Sequence, residues 1–193
     1  MTLRTATYRL LCEAVGKLAA IPTWMHDGTI FEPGELLEGI ILTESGGDPR
    51  AYRYEAHQDR AGRRDAPLDP DTADLDDGFL EDDTSYGLMQ VMGTNARRLL
   101  GVPPGVRMRF DFMFKPVLNV SLGVQVLKLE LAAVEAEVLV GRIPGGRVVE
   151  RALARYNGGP TGDDLESNGD FRLQAYIDKV AHRTLLVRRD KGR

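Results

Sequence analysis

Apolar residues recur at helical spacing along most of the 193-residue chain. Leu10, Leu11, Ala14, Val15 and Leu18 would form one face of a first helix, with Arg9, Glu13 and Lys17 interrupting them. The stretch "IPTWMHDGTIFEPG", rich in turn formers, predicts a loop. A short helix is expected over about Pro33–Glu44, marked by Leu36, Leu37, Ile40 and Ile41. Residues 46–83 are polar and irregular. The next helix starts near Gly87 or Thr94 and stops before "GVPPGVR". A long helix follows over about Pro116–Val140, with Val120, Val124, Leu127 and Leu131 as its buried stripe and proline in its first turn. Two more are expected over about Arg147–Tyr156 and Phe171–Val187, separated by "NGGPTGDD". No segment alternates with the period of two that strands require, so at most a small β-ribbon fits, within residues 46–86. The pattern predicts a mostly α fold, α+β at most, in a single domain without internal repeats.

Composition narrows the class further. A length of 193 residues suits one domain, because domains run to about 100–200 residues. The net charge of -4 gives no support to nucleic-acid binding. A single cysteine, Cys12, rules out an internal disulfide and reads as a small buried apolar residue of the first helix. His26, His57 and His182 make no zinc-like spacing with it. The first helix is too interrupted by charge for a signal peptide. No stretch approaches the run of about 18 uncharged apolar residues that a membrane span needs. No metal, cofactor or stable membrane insertion is expected, and the chain is expected to be a monomer.

Residues 53–84 stand apart. Their first part is basic, with Arg53, Arg60, Arg63 and Arg64; from Asp69 to Asp83 there are eight acids and no base. A calcium loop of the EF-hand type needs oxygen ligands at positions 1, 3 and 5 and glycine at 6. Counting from Asp69 puts Ala73 and Asp74 at the last two, so a solvated loop is the better account.

Three short stretches carry candidate chemistry. In "ILTESGGDPRAYR" an apolar helix ends on Glu44 and is followed by Ser45, Gly46 and Gly47. A carboxyl at the negative end of a helix dipole and against an apolar wall is disfavoured as an anion, which suits a general acid. The small residues after it leave room for a large substrate. In "SYGLMQVMG", Gln90 is an uncharged donor and acceptor among apolar neighbours, suited to a hydroxyl or acetamido group. In "ALARYNGGP", Tyr156 and Asn157 place a hydroxyl and an amide at a helix end. Each stretch alone has a plainer explanation: a helix terminus, a core turn with one satisfied glutamine, and a glycine cap.

Their order changes the weighing. "ESGGDPRA", "GLMQVM", "NVSLGVQVLKL", "ALARYNGG" and "YIDKV" together resemble the catalytic domain of soluble lytic transglycosylases, relatives of goose-type lysozyme. The resemblance spans about residues 30–185 and implies a lysozyme-like α-rich fold. It divides the chain into an N-terminal helix and loop (1–29), a catalytic domain (30–187) with an insertion at about 53–84, and a basic tail (188–193). The implied substrate is the peptidoglycan glycan strand, cut at the β-1,4 bond between N-acetylmuramic acid and N-acetylglucosamine with formation of a 1,6-anhydro ring. The implied catalytic residue is Glu44. The implied substrate contacts are Ser45, Tyr86, Gln90, Met92, Tyr156 and Asn157.

The resemblance implies one catalytic carboxyl and no cofactor, whereas most glycosidases use two carboxyls about 5–5.5 Å or about 6.5–9.5 Å apart. Departures from the family pattern leave two alternatives open. The segment between the first two motifs is longer by about twenty residues and holds Glu55 and many aspartates. A water-activating carboxyl there would make the chain a hydrolytic muramidase of the same fold. The other alternative is a non-catalytic wall-binding protein, against which the intact Glu44 speaks. Arg155, before the tyrosine, is either a solvated charge or a contact for acidic stem peptides. The substrate implies action in the periplasm or cell wall. Without a recognisable signal peptide, phage lysis, an injection machine or another export route is expected to deliver the chain.

Overall fold

The computed structural model describes residues 7–54, 84–103, 106, 108–159 and 171–192. It is mostly helical, with a few short strands, as an α-rich lysozyme-like fold requires. The elements are α1 (Arg9–Leu18), β1 (Trp24–His26), β2 (Thr29–Phe31), α2 (Pro33–Glu44), β3 (Tyr52–Tyr54), β4 (Thr84–Tyr86), β5 (Val91–Met92), α3 (Gly93–Leu99), α4 (Pro116–Leu139), α5 (Val148–Gly158) and α6 (Phe171–Lys191). A 3-10 turn, Asp111–Phe114, precedes α4. The chain divides into two compact units, Met1–Thr43 with Val124–Arg193, and Glu44–Gly123.

In the first unit α2 is buried almost all round: Leu36, Leu37, Ile40 and Ile41 are fully covered. The expected face of α1 is not the one that packs. Leu10 and Leu18 are 81% and 87% exposed, while Cys12, Gly16 and Ala19 are buried. Gly16 and Gly34 explain the rotation. A Cβ on Gly16 would lie 3.0 Å from Pro33 Cβ, and one on Gly34 would lie 3.0 Å from Glu13 Cα. Backbones this close need glycine on both sides, and the crossing turns the small-residue edge of α1 inward. Burial, with help from Glu38, pushes the Cys12 thiol up to about 12, which makes it inert packing.

The loop expected at 21–34 holds a hairpin instead. β1 and β2 pair antiparallel, Trp24 opposite Phe31 and His26 opposite Thr29. Asp27 and Gly28 both take positive φ, 47° and 76°, as a two-residue turn between twisted strands demands. Trp24 and Phe31 are buried with ring centroids 5.2 Å apart, and Met25 and Ile30 face outward. The region of the expected ribbon holds β3 and β4, and with β5 beyond it they form a three-stranded antiparallel sheet.

The long helix α4 follows its predicted stripe, with Val120, Val124, Leu127 and Leu131 all buried. By length and composition α4 would also pass for a membrane span, which the sequence reading did not anticipate. Of its most apolar 18 residues, 44% are buried within the protein. The basic residues expected as a tail instead continue α6 to Lys191. Arg188 pairs with Glu35, donates to the carbonyl of Ile30 and lies 5.1 Å from the centre of the Phe31 ring.

Two carboxyls on α2 face this basic end and shift in opposite directions. Glu38 is fully buried, and neither of its oxygens has a hydrogen-bond partner among the described residues. Arg9 Nε and Lys191 Nζ approach only to 3.6 and 3.7 Å. Burial pushes the Glu38 carboxyl up, against the weaker downward pull of Lys191 and Arg9. Burial also acts upward on Glu35, but the Arg188 hydrogen bond, the backbone N–H of Glu32 and the Arg188 charge outweigh it and hold that carboxyl low. Glu38 therefore contributes most below the ordinary carboxylate range, and its contribution is lost as pH rises through its raised value. Glu35 contributes above the ordinary range and loses its contribution as pH falls through its lowered value. Thermal melts of Glu38→Gln and Glu35→Gln from about pH 4 to about pH 8 should diverge. Glu38→Gln gains on the parent protein as pH rises, and Glu35→Gln loses ground. Parallel curves would refute the assignment.

Candidate active site

Glu44 is the last residue of α2, half-buried, and the last turn of α2 carries no basic residue. The neighbouring carbonyl of Thr43 accepts from Lys179 Nζ at 3.5 Å. After Glu44 the chain turns through Gly46 and Gly47, both at positive φ. Ser45 ties this turn down. Its hydroxyl donates to the carbonyl of Leu88 at 2.8 Å and accepts from the N–H of Gly47 at 3.2 Å.

Leu88 belongs to the four-residue connection between β4 and β5. That connection, expected as a possible helix start, is a turn. Leu88 and Met89 are fully buried in it. Gln90 closes it at a φ of 46°, an uncommon conformation for a residue with a side chain. The Gln90 amide nitrogen donates to the carbonyls of Gly87 and Ala51, at 2.9 and 3.1 Å. Both partners are acceptors, so the orientation of the amide is fixed by its surroundings. The sequence suggested a donor and an acceptor for a ligand. The donor is spent on the turn, and among the described residues nothing donates to the amide oxygen.

The other predicted site residues fall into distinct settings. Tyr86 is buried, its ring stacked on Phe110 with centroids 5.3 Å apart and edge-on to Phe114, so its side chain supports the turn from inside. Met92 is half-buried, and its sulfur accepts from the Ser85 hydroxyl at 3.1 Å. Glu44, Ser45, Tyr86, Gln90 and Met92 share one compact unit. Tyr156 and Asn157 lie in the other, half-buried and exposed respectively in the last turn of α5, which Gly159 ends at a φ of 80°. Arg155 is neither a solvated charge nor a ligand arm. It is buried and donates to Glu137 at 2.7 Å. Glu55 and the acidic stretch Asp69–Asp83 lie outside the described residues.

Sequence reasoning passed over Asn119, which is fully buried on α4. Its side-chain oxygen accepts from the N–H of Met89 at 2.8 Å, and its nitrogen donates to the carbonyl of Tyr86 at 2.7 Å. The available signal was a lone amide beside the Val120 and Val124 stripe, where burial without a partner would be costly. Among the described residues no group of three or more His, Cys, Asp or Glu is placed to hold a metal ion.

The chemistry open to this arrangement is proton transfer by the half-buried Glu44 carboxyl, with the oxygen of the buried Gln90 amide as an acceptor on the turn that Ser45 bonds. A family model described as the transglycosylase SLT domain matches residues 32–175, a span that contains every predicted site residue. No curated protein and no solved structure matches the chain.

Proposed function

Because the chain belongs to the transglycosylase SLT family, we propose that it is a peptidoglycan lytic transglycosylase with Glu44 as its one catalytic carboxyl. The observation that supports this most directly is the placement of Glu44. It ends a buried helix, is half-exposed, and is followed by a glycine turn locked to the segment that carries Gln90. Rigid mounting with access from solvent is what a general acid for a polymeric substrate needs.

In this proposal the Glu44 carboxyl gives its proton to the glycosidic oxygen as the bond from C1 of N-acetylmuramic acid to that oxygen breaks. The positive charge developing at C1 is met by the sugar's own N-acetyl carbonyl. The Glu44 carboxylate then takes the proton of the C6 hydroxyl as O6 bonds to C1, closing the 1,6-anhydro ring and restoring the acid. No water is consumed. The Gln90 amide oxygen accepts from a hydroxyl or N–H of the glycan. Met92, Tyr156 and Asn157 are proposed as further sugar contacts, with Ser45 and Tyr86 holding the acid and the turn. The site of action is the cell wall or periplasm.

Mass spectrometry of soluble products from purified peptidoglycan tests the reaction. The expected muropeptides carry 1,6-anhydro ends and are one water lighter than reducing ones. Reducing ends would mean that water is the acceptor and that a second carboxyl takes part. An undigested wall to which the protein still binds would leave a binding role only.

A further inference from the structure

We infer that Asn119 is a positioning residue that seats the Tyr86–Gln90 turn on α4 and, through Ser45, sets the chain that carries Glu44. Four observations within the Glu44–Gly123 unit carry this. First, the Asn119 amide bridges both ends of the backbone segment from Tyr86 to Met89, donating to Tyr86 and accepting from Met89. An N–H donor on one side and a carbonyl on the other admit only one orientation of the amide. Second, Gly87 between them leaves no room for a side chain. A Cβ there would stand 2.5 Å from Asn119 Nδ2. Third, one helical turn on, Gly123 receives Met89, whose sulfur would lie 2.6 Å from a Cβ at that position. The first two turns of α4 therefore offer an amide and then a notch, and the β4–β5 turn fits both.

Fourth, the turn so held has two outputs. Its Leu88 carbonyl accepts from Ser45, the residue after Glu44, and its last residue is Gln90. Glu44 and Gln90 are far apart in sequence but are referred to one frame, and Asn119 fixes that frame from behind without touching substrate. The role in catalysis rests on the proposed function; the mechanical coupling does not.

The test uses Asn119→Asp and Asn119→Leu in the 193-residue chain. A protonated carboxyl has one O–H donor and one acceptor oxygen and can reproduce both bonds. An ionised one can only accept, and it would face the Tyr86 carbonyl. Burial raises the titration of the introduced carboxyl. Asn119→Asp should therefore match the parent protein at acid pH and lose kcat per folded molecule as pH rises, by about 10²-fold, the scale of a 1 Å misplacement. If kcat per folded molecule followed the parent profile throughout, the residue would be structural only and the inference would fail.

Backbone hydrogen exchange supplies an arm that needs no activity. In Asn119→Leu, or in Asn119→Asp above its titration, exchange should quicken at Met89 and also at Gln90 and Gly47. Quickening confined to Met89 would overturn the coupling. Failure of the parent protein to cleave peptidoglycan, or full activity in a Glu44→Gln protein, would instead count against the proposed function, and the exchange result would still decide the coupling.

Discussion

Replacing Glu44 with glutamine should remove glycan cleavage while leaving the protein folded and able to bind insoluble cell wall. Glutamine keeps the size of the side chain and its capacity for hydrogen bonds. It cannot give a proton to a leaving oxygen or take one from a hydroxyl. A positioned general acid or base contributes about 10²–10⁴-fold, and here the same group would serve in both steps, so the loss should sit at or beyond the upper end of that range. The comparison is the initial rate of muropeptide release by parent and variant, with circular dichroism showing equal helicity and co-sedimentation showing equal wall binding. Substantial activity in Glu44→Gln would move the chemistry to another carboxyl. Loss of wall binding together with activity would point to a role in recognition.

The largest expected effect on stability is at Gly39, in the middle of the same helix. A Cβ at this position would fall on the side chain of Thr184 and within 3.2 Å of its backbone nitrogen. Thr184 is fully buried on α6, and its hydroxyl donates to the Val180 carbonyl at 2.8 Å. Neither partner can yield cheaply, since both contacts lie in a packed interior. Overpacking of this kind costs about 1–3 kcal/mol or more, although alanine is otherwise the better helix former. Gly39→Ala should therefore lower the midpoint of denaturant unfolding. Adding Thr184→Ala removes the hydroxyl nearest to the new methyl, so the double variant should be less destabilised than the sum of the singles. Strict additivity would show that the two helices do not press together there.

Much of the fold was legible because helical apolar spacing is a local signal. Helix α2 begins and ends where Leu36–Ile41 and Glu44 predicted, and α4 keeps its Val120–Leu131 stripe. The family emerged from the order of short motifs, and its model matches most of the chain. The misreadings have physical causes. The face of α1 was chosen by hydrophobicity, whereas the Gly16–Gly34 approach decides which side packs. The hairpin was hidden by its shortness, although Asp27-Gly28 between apolar residues was available as a turn signal. Gly87 is one of two helix starts that the pattern allows, because helix and turn cannot be told apart from neighbours alone. The contacts that organise the candidate site, Ser45 to Leu88 and Asn119 to Tyr86 and Met89, join residues 30 or more positions apart. Nothing in a local pattern encodes such pairs. Arg155 illustrates the same limit, because its partner Glu137 lies on a different helix.

The ion pairs that close the first unit also set an order of events during synthesis. Glu35 is made 153 residues before Arg188, which answers it, and Glu38 waits in the same way for Lys191. Until then Glu38 has only Arg9 to offset its burial, and Glu35 lacks the guanidinium that holds it ionised. The helix that ends in Glu44 thus reaches its final electrostatic environment only after the end of α6 has been made. A nascent chain that stopped short of α6 would carry Glu44 on an unfinished mount, so the proposed site would be completed by that helix rather than before it.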